Sequence, residues 1–463
     1  MVGGCGGGGA DDGRIELGRP PVVFILLDAL HAEHLSHLGN GRETTPHLDA
    51  LAAEGVSFPT AFAPAPYTLA TVSSILTGRL PDVHGLVDKG ATLLPEEVTL
   101  AELLQRGGYR TFAAVGNLNG SSIFGCEQGF EHYTEVFRPG DGRSVDVEFE
   151  GDQYHYAKAV DYPPIVARWL ADGAAEGDRP PFLYLHILEP HEPYSPPEAF
   201  RARFVDPGYD GPYRAGDSAA LIQGRRGNLP FEDEDKEAVE ALYDANLAHS
   251  DAVVGEILGM LDEAGILDEA LIVVTSDHGE AFWQHGEQGH NTTLYDEMLR
   301  VPLIVRFPAG AKGVPAGARP AALVSPMDLL PSFSEWLDLP LPASDLDGTS
   351  LSAALRDAAD PDRALILRSH HDPPWFGLRT AGTKTIVVPG AGGTPGRIEH
   401  YRLDADPAEA RNARAEHGAD AQSDYDALQR FAADTAHKRV SRGFPISEAE
   451  KAMLERLGYT DGD

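Results

Sequence analysis

Basic residues, cysteines and long apolar runs are all scarce in this 463-residue chain. Lys and Arg together number 37 against 72 Asp and Glu, a formal net charge of −35. A surface of that sign repels phosphate backbones and anionic lipid, so no nucleic-acid partner is expected. The two cysteines, Cys5 and Cys126, are too few for a disulfide framework. No apolar run approaches the roughly 18–20 residues needed to span a bilayer, so no transmembrane segment is expected. The longest early run, "VVFILL" from Val22, has the length of a core strand. What is present is 42% apolar, enough for a large core. At about 100–200 residues per domain the length allows two or three domains, or one large α/β unit.

The first 19 residues, with "MVGGCGGGGADDGR", read as a Gly-rich flexible tail. "VGGC" followed by such a tether resembles the end of a bacterial lipoprotein signal. That resemblance implies a protein of the bacterial periplasm or cell envelope, anchored through Cys5; the alternative is a disordered tail with an incidental Cys, which leaves a cytoplasmic location open.

From residue 20 the text alternates short apolar runs with helical spacing. "PPVVFILLDAL" is a strand ending in Asp28. "TPHLDALAAEGVSF" is a helix opened by Thr44 or Thr45 and Pro46. "TLAELLQRGGYRTFAAVGN" is a helix, a Gly break and a strand. "PFLYLHILEPHEPYSPP" is a strand running into a Pro-rich loop. A long amphipathic helical stretch follows from "DKEAVEAL", and then the strand "LIVVTSDHGE". The alternation predicts an α/β fold, a mostly parallel sheet flanked by helices, over residues 20–345. Residues 134–165 and 198–235, rich in Gly, Pro and charge, read as inserted loops. After about residue 345 the texture changes to short antiparallel strands ("RALILRSHH", "FGLRTAGTKTIVV", "RIEHYRLD") and a helix from about Pro407. We therefore expect a small C-terminal α+β subdomain over 346–463.

Sites of open parallel sheets lie at the carboxyl ends of strands. Asp28, His191, Asp277 and His278 all fall there. Two carboxylates and an imidazole brought together by such a sheet make a divalent-metal site. A single Asp after a strand is more often a helix N-cap, but Asp, His and Gly together after a buried strand are an expensive choice for structure alone. "TLATVSSILTG" has helical spacing at Leu69, Val72, Ile75 and Leu76, which puts Thr68 near a helix N-terminus. A hydroxyl there is either the N-cap or a nucleophile favoured by free N–H groups, the helix dipole and a metal. The residues alone leave both open. His84 reads as closing the turn after that helix, His186 as core, and Glu280 as closing a turn or backing the site.

"TPHLDALAAEGVSF", "SILTGRLPDVHG", "LEPHEPYSPP", "TSDHGE" and "LYDEMLRVPLIVRFP" occur in the order and spacing of the sulfatase family of the alkaline phosphatase superfamily, which the chain resembles over roughly residues 20–415. The resemblance implies an alkaline-phosphatase-like fold and metal-dependent hydrolysis of phosphate or sulfate esters. Carried over by position, Asp28, Asp277 and His278 match metal ligands, and Thr68 falls at the nucleophile and completes the metal shell. His191 matches a substrate-contacting His. The implied cofactor is one divalent ion (Ca²⁺, Mn²⁺, Zn²⁺ or Mg²⁺), with a second as an option.

The departures are informative. Sulfatases carry Cys or Ser at the nucleophile position, in a Cys-x-Pro-x-Arg pattern, and oxidise it to formylglycine; here Thr68-Leu69-Ala70-Thr71-Val72 stands there, so no formylglycine is expected. Asn117 and Asn119 replace a Gly-Lys-x-His pattern, and Asn291 replaces a second Lys, so these three asparagines are candidate substrate contacts. The Thr resembles the phosphoethanolamine and phosphoglycerol transferases, which also keep a His downstream of "SDHGE", where His290 stands. Three functions follow: an ester hydrolase with Thr68 as nucleophile and His191 and His290 as proton donors, acting on a small-molecule, glycan or lipid-headgroup ester; a transferase of that second kind; or a non-catalytic binding protein on the same fold.

Overall fold

Six consecutive apolar residues, Val22–Leu27, form strand β1, and all six are buried. In a computed structural model, which describes residues 15–138, 147–149, 152–342, 345–356, 360–390, 395–435, 442–443 and 450–452, this strand is the middle one of a seven-stranded sheet. Cys5 and residues 1–14 of the expected tail lie outside the described residues. The other strands are β2 (Val56–Ser57), β3 (Arg110–Val115), β4 (His132–Glu135), β5 (Pro181–Ile187), β6 (Leu271–Thr275) and β7 (Leu303–Arg306). Their order is β2-β7-β6-β1-β5-β3-β4. Strands β6, β1, β5, β3 and β4 run parallel to their neighbours, whereas β7 and β2 add on antiparallel.

Strands buried on both faces read as unbroken apolar runs rather than alternating ones. Alternate residues of β1 therefore serve two cores. Val22, Phe24 and Leu26 pack with Leu69, Val72 and Ile75 of helix α2, and Val23, Ile25 and Leu27 pack with Leu247, Val254 and Ile257 of a long helix. The helices needed below are α1 (Pro46–Glu54), α2 (Thr68–Thr77), α3 (Ser218–Arg225) and α4 (Asp233–Glu263). Helix α1 begins at Pro46 behind Thr45. Its first amides are satisfied from α4: Asp251 accepts from His47 N at 3.0 Å and Leu48 N at 2.9 Å. This buried Asp locks α1 to the long helix.

The insertion at 198–235 is more ordered than a run of loops. It holds a helix over Glu198–Phe204 and α3, and Tyr209, Tyr213 and Leu221 form a satellite core with Tyr194, Tyr243 and Phe282. Aromatic residues spaced among Gly and Pro supply the apolar area that the local pattern hides. The expected loop at 134–165 lies partly outside the described residues and carries a two-stranded ribbon, Val147–Phe149 with Asp152–Tyr154.

The C-terminal part forms a separate antiparallel sheet, β8 (Leu365–Arg368), β9 (Phe376–Arg379), β10 (Thr383–Pro389) and β11 (Pro395–Arg402), in chain order. Its helix, α5, spans Gly418–Thr435, later than Pro407. Residues after Pro407 instead form a turn in which the Asp406 carboxylate accepts from Ala410 N and Arg411 N, consistent with the preference of Asp for closing turns. The fully buried Lys384 of β10 ties this sheet to the larger α/β part through Asp296 and holds Glu409 of its own part, each at 2.8 Å. No helix among the described residues is long and apolar enough to cross a membrane.

Candidate active site at the carboxyl ends of the central strands

Four adjacent parallel strands, β6, β1, β5 and β3, deliver polar side chains to one point. Asp28 follows β1, Asp277 and His278 follow β6, His186 is the penultimate residue of β5, and Asn117 lies beyond β3. The turn after Asp28 is fixed by its neighbours. Ala29 sits in the left-handed region (φ 56°), a conformation costly for a residue with a Cβ. It is held there because its N–H donates to Asp277 Oδ1 at 3.1 Å and its carbonyl accepts from the Tyr243 hydroxyl at 2.8 Å. Ser276 Oγ accepts from Leu30 N and donates to the His278 carbonyl, both at 2.8 Å.

Asp28, Asp277 and His278 are fully buried and offer ligand atoms all within 4.8 Å of one another. His278 Nδ1 lies 2.9 Å from the Gly279 carbonyl, so Nδ1–H donates there and Nε2 faces the carboxylates. That nitrogen is 3.4 Å from Asp277 Oδ2 and 3.7 Å from Asp28 Oδ1. Both of these oxygens are buried without a hydrogen-bond partner. Oδ2 of Asp28, by contrast, receives Asn117 Nδ2 at 2.6 Å and His186 Nε2 at 2.9 Å. Buried, unsatisfied carboxylate oxygens are costly. Two of them facing one imidazole nitrogen match a divalent cation held by hard oxygens and one nitrogen.

The electrostatics agree. Burial alone would raise the Asp28 carboxyl, but the charges of His191, His186 and His278 and the His186 hydrogen bond hold it below the usual carboxylate range. Asp277 is pushed up, first by burial and then by the Asp28 charge beside it. Burial works against protonation of His278, yet the two carboxylates raise its pKa. The group thus carries an excess of negative charge at close quarters, which a cation would balance.

Thr68 is fully buried and is the first residue of α2, with Tyr67 in the N-cap position. Its hydroxyl therefore is not the helix cap. Oγ1 lies 3.3 Å from His278 Nε2 and 3.4 Å from Asn117 Nδ2, at the helix end where free amides favour negative charge. Tyr67 is held from the C-terminal sheet: Arg368 Nη1 donates to its hydroxyl at 2.9 Å, while Arg368 Nε faces Asp82 Oδ2 at 3.0 Å.

His191 and His290 complete the ring of imidazoles. Their ring centroids are 4.8 Å apart, and that of His290 is 4.4 Å from His278. His191 Nδ1 donates to the Glu192 carbonyl at 2.6 Å, and His290 Nδ1 lies 3.1 Å from Glu280 Oε1. Burial, followed by the charges of His278 and His191, keeps His290 well below the usual imidazole pKa. Glu280 thus backs the site through His290.

The asparagines differ. Asn117 is engaged at both ends, by Asp28 and Thr68 through Nδ2 and by Asn119 N through Oδ1. It therefore shapes Asp28 as much as it faces a substrate. Asn119 Nδ2 is buried without a partner, as is Asn291 Oδ1. Asn291, at φ 74°, donates its N–H to the Pro66 carbonyl, two residues before Thr68.

The reading of His186 as core needs correction. It is fully buried, as a core residue is, but alternates along β5 with Phe182 and Tyr184, on the α2 face, and its Nε2 reaches Asp28. His84 is structural, bonded to Ser74 and Leu86. His285 stacks on Tyr295 at 3.7 Å and binds Glu297, outside the cluster.

A family model described as Sulfatase matches residues 20–339. The ulvan-active sulfatase of Formosa agariphila is 26% identical over 358 residues, covering 74% of this chain and 66% of that protein. The N-acetylglucosamine-6-O-sulfatase of Bacteroides thetaiotaomicron is 24% identical over 480 residues, covering 87% and 84%. Among solved structures, the phosphonate monoester hydrolase of Agrobacterium radiobacter is similar in fold, with a TM-score of 0.69 at 22% identity over 93% of this chain and 98% of that one.

Proposed function

The chain belongs to the sulfatase family of the alkaline phosphatase superfamily, a family of ester hydrolases, and we propose that this member cleaves phosphate or sulfate esters with the unmodified Thr68 hydroxyl as nucleophile. The observation that carries this reading is the placement of Thr68 Oγ1, 3.3 Å from His278 Nε2 at the start of α2, beside the unsatisfied oxygens of Asp28 and Asp277. A divalent cation held by Asp28, Asp277 and His278 supplies, when bound, the positive charge that lowers the hydroxyl pKa and screens the attacked anion.

Thr68 Oγ1 bonds to phosphorus or sulfur as its proton passes to a neutral imidazole of the His191–His290 pair, and the bond to the ester oxygen breaks, that oxygen keeping the electron pair. In this reading the imidazole that took up that proton, His191 or His290, then gives it to the departing oxygen. Asn117 and the amides of the first turn of α2 donate to oxygen atoms of the transferred group. Water then attacks the Thr68 ester and restores the hydroxyl. A hydrated aldehyde can expel its sulfate by elimination; a substituted Thr cannot, and must be cleared by attack on the anionic centre. That requirement favours phosphorus esters.

The test is a panel of nitrophenyl phosphate, phosphodiester, phosphonate and sulfate esters with Mg²⁺, Mn²⁺, Zn²⁺ or Ca²⁺ added. Metal-dependent turnover that falls on the order of 10³-fold or more in Thr68→Ala is expected. Undiminished turnover in that variant overturns the mechanism.

A further inference from the structure

We propose that Arg225, carried by the 198–235 insertion, is a positioning residue that fixes the loops presenting His191 and His290. The proposal rests on the reading of those two histidines as proton donors to the leaving group.

Arg225 is the last residue of α3. Its guanidinium grips Glu192 with both terminal nitrogens, at 2.8 and 2.9 Å, and Nη1 also donates to Gln288 Oε1 at 2.9 Å. Glu192 is 1% exposed and directly follows His191; its carbonyl is the oxygen that accepts His191 Nδ1–H at 2.6 Å. Gln288 stands two residues before His290, in a ribbon where it pairs with Phe282 and Gly289 pairs with Ala281. Glu280, next to that ribbon, holds His290 Nδ1. One side chain therefore spans the two segments whose imidazoles sit 4.8 Å apart.

The anchor itself is stiff. Leu221 of α3 packs into the satellite core with Tyr194 and Phe282, one from each segment. A Cβ at Gly224 would lie 2.3 Å from Phe231 Cζ, so the helix end sits flush against that core. Gly289, at φ +98°, lets the backbone approach the guanidinium: a Cβ there would stand 3.3 Å from Arg225 Nη1. A planar fork can hold a carboxylate with two parallel bonds and still reach an amide oxygen, whereas an ammonium acts as a point charge. Positioned acid–base groups contribute about 10²–10⁴-fold, and a partner that only orients them carries a part of that.

The test uses the full chain as Arg225→Ala, Arg225→Lys and Glu192→Gln, with metal content and thermal midpoint measured on each. With the best ester from the panel, kcat is expected to fall about 10–100-fold while KM stays within about twofold, because the histidines act on the leaving group rather than on ground-state binding. Arg225→Lys should recover little, and added guanidinium ion should restore part of kcat to Arg225→Ala. Long-range 1H–15N spectra of histidine-labelled protein give a readout that needs no turnover. The His191 signal, identified with His191→Gln, should move or split in Arg225→Ala, and that of His84 should not. An unmoved His191 signal overturns the proposal, as does parent-like kcat in Arg225→Ala or full recovery in Arg225→Lys. If the parent turns over no ester, the enzyme reading fails while the spectra still decide on Arg225. If Arg225→Ala does not fold, Arg225→Lys and Glu192→Gln carry the same measurements.

Discussion

His84 gives a prediction that can be worked to a number. The ring is 1% exposed and braces α2 from behind: Nδ1 accepts from Leu86 N at 3.1 Å, so Nε2 carries the proton and faces Ser74 Oγ at 3.1 Å. A second proton would have to go on Nδ1, against an N–H already pointing at it. Burial, helped by the charges of Arg79 and Arg368 and resisted by a contact with the Ala70 backbone, lowers the pKa from 6.5 to about 3. The sign follows from linkage: between pH 6.5 and about 3 the unfolded chain binds a proton that the folded chain refuses, so stability falls as pH falls through that window. At pH 4.5 the loss is two units below the unfolded value, or about 2.7 kcal/mol at about 1.36 kcal/mol per unit. His84→Gln keeps one donor and one acceptor but cannot be charged. Urea unfolding of both proteins from pH 7.5 to 4.5 should show the variant less stable by about 1–2 kcal/mol at neutral pH, a packing cost. The difference should shift by about 2.7 kcal/mol in the variant's favour at pH 4.5. Stability curves that run parallel across that range refute the reasoning, since every other titrating group is common to the two proteins.

Two further outcomes are expected. His186→Leu removes the Nε2 donor 2.9 Å from Asp28 Oδ2 while keeping the volume on β5, so metal affinity by calorimetric titration should weaken about 10–100-fold, and an unchanged affinity excludes His186 from the site. Because Asn117 and Asn291 bring no charge, the cluster offers, among the described residues, no Lys or Arg to a second negative charge on the substrate. An unmatched charge near 4 Å is worth about 1–4 kcal/mol. Phosphodiesters and phosphonate monoesters should therefore exceed phosphate monoesters in kcat/KM by about tenfold or more, and a preference for the monoester contradicts this account.

What the sequence disclosed about the site depended on how each residue's environment is written locally. Asp28, Asp277 and His278 stand out because each follows an apolar run, and a polar residue at the end of a buried strand is visible without knowing the strand's neighbours. Thr68 was legible as a position near a helix start, but its choice between cap and nucleophile was not, because capping depends on which residue takes the extended conformation; Tyr67 does, at φ −155° and ψ 148°. The order of the parallel strands was equally beyond reach, although the alternation of elements already implied the sheet.

His186 and Arg225 were hidden for opposite reasons. A histidine in "FLYLHIL" looks like core because a strand buried on both faces gives no alternation to betray which side it serves. Only the register that sets it opposite Leu26, one strand from Asp28, brings it to the candidate site. Arg225 lies in a stretch whose Gly, Pro and charge content reads as solvent-facing loop, and nothing within ten residues of it hints at Glu192 or Gln288. Its contacts exist because scattered aromatics (Tyr209, Tyr213 and Phe231) gather into a small core that carries α3 up against the active-site loops. The candidate metal ligands thus sit where strand ends put them, and strand ends are written locally. The residues that orient those ligands are set by which strand lies beside which and by what an insertion packs against, and that information is spread across the whole chain.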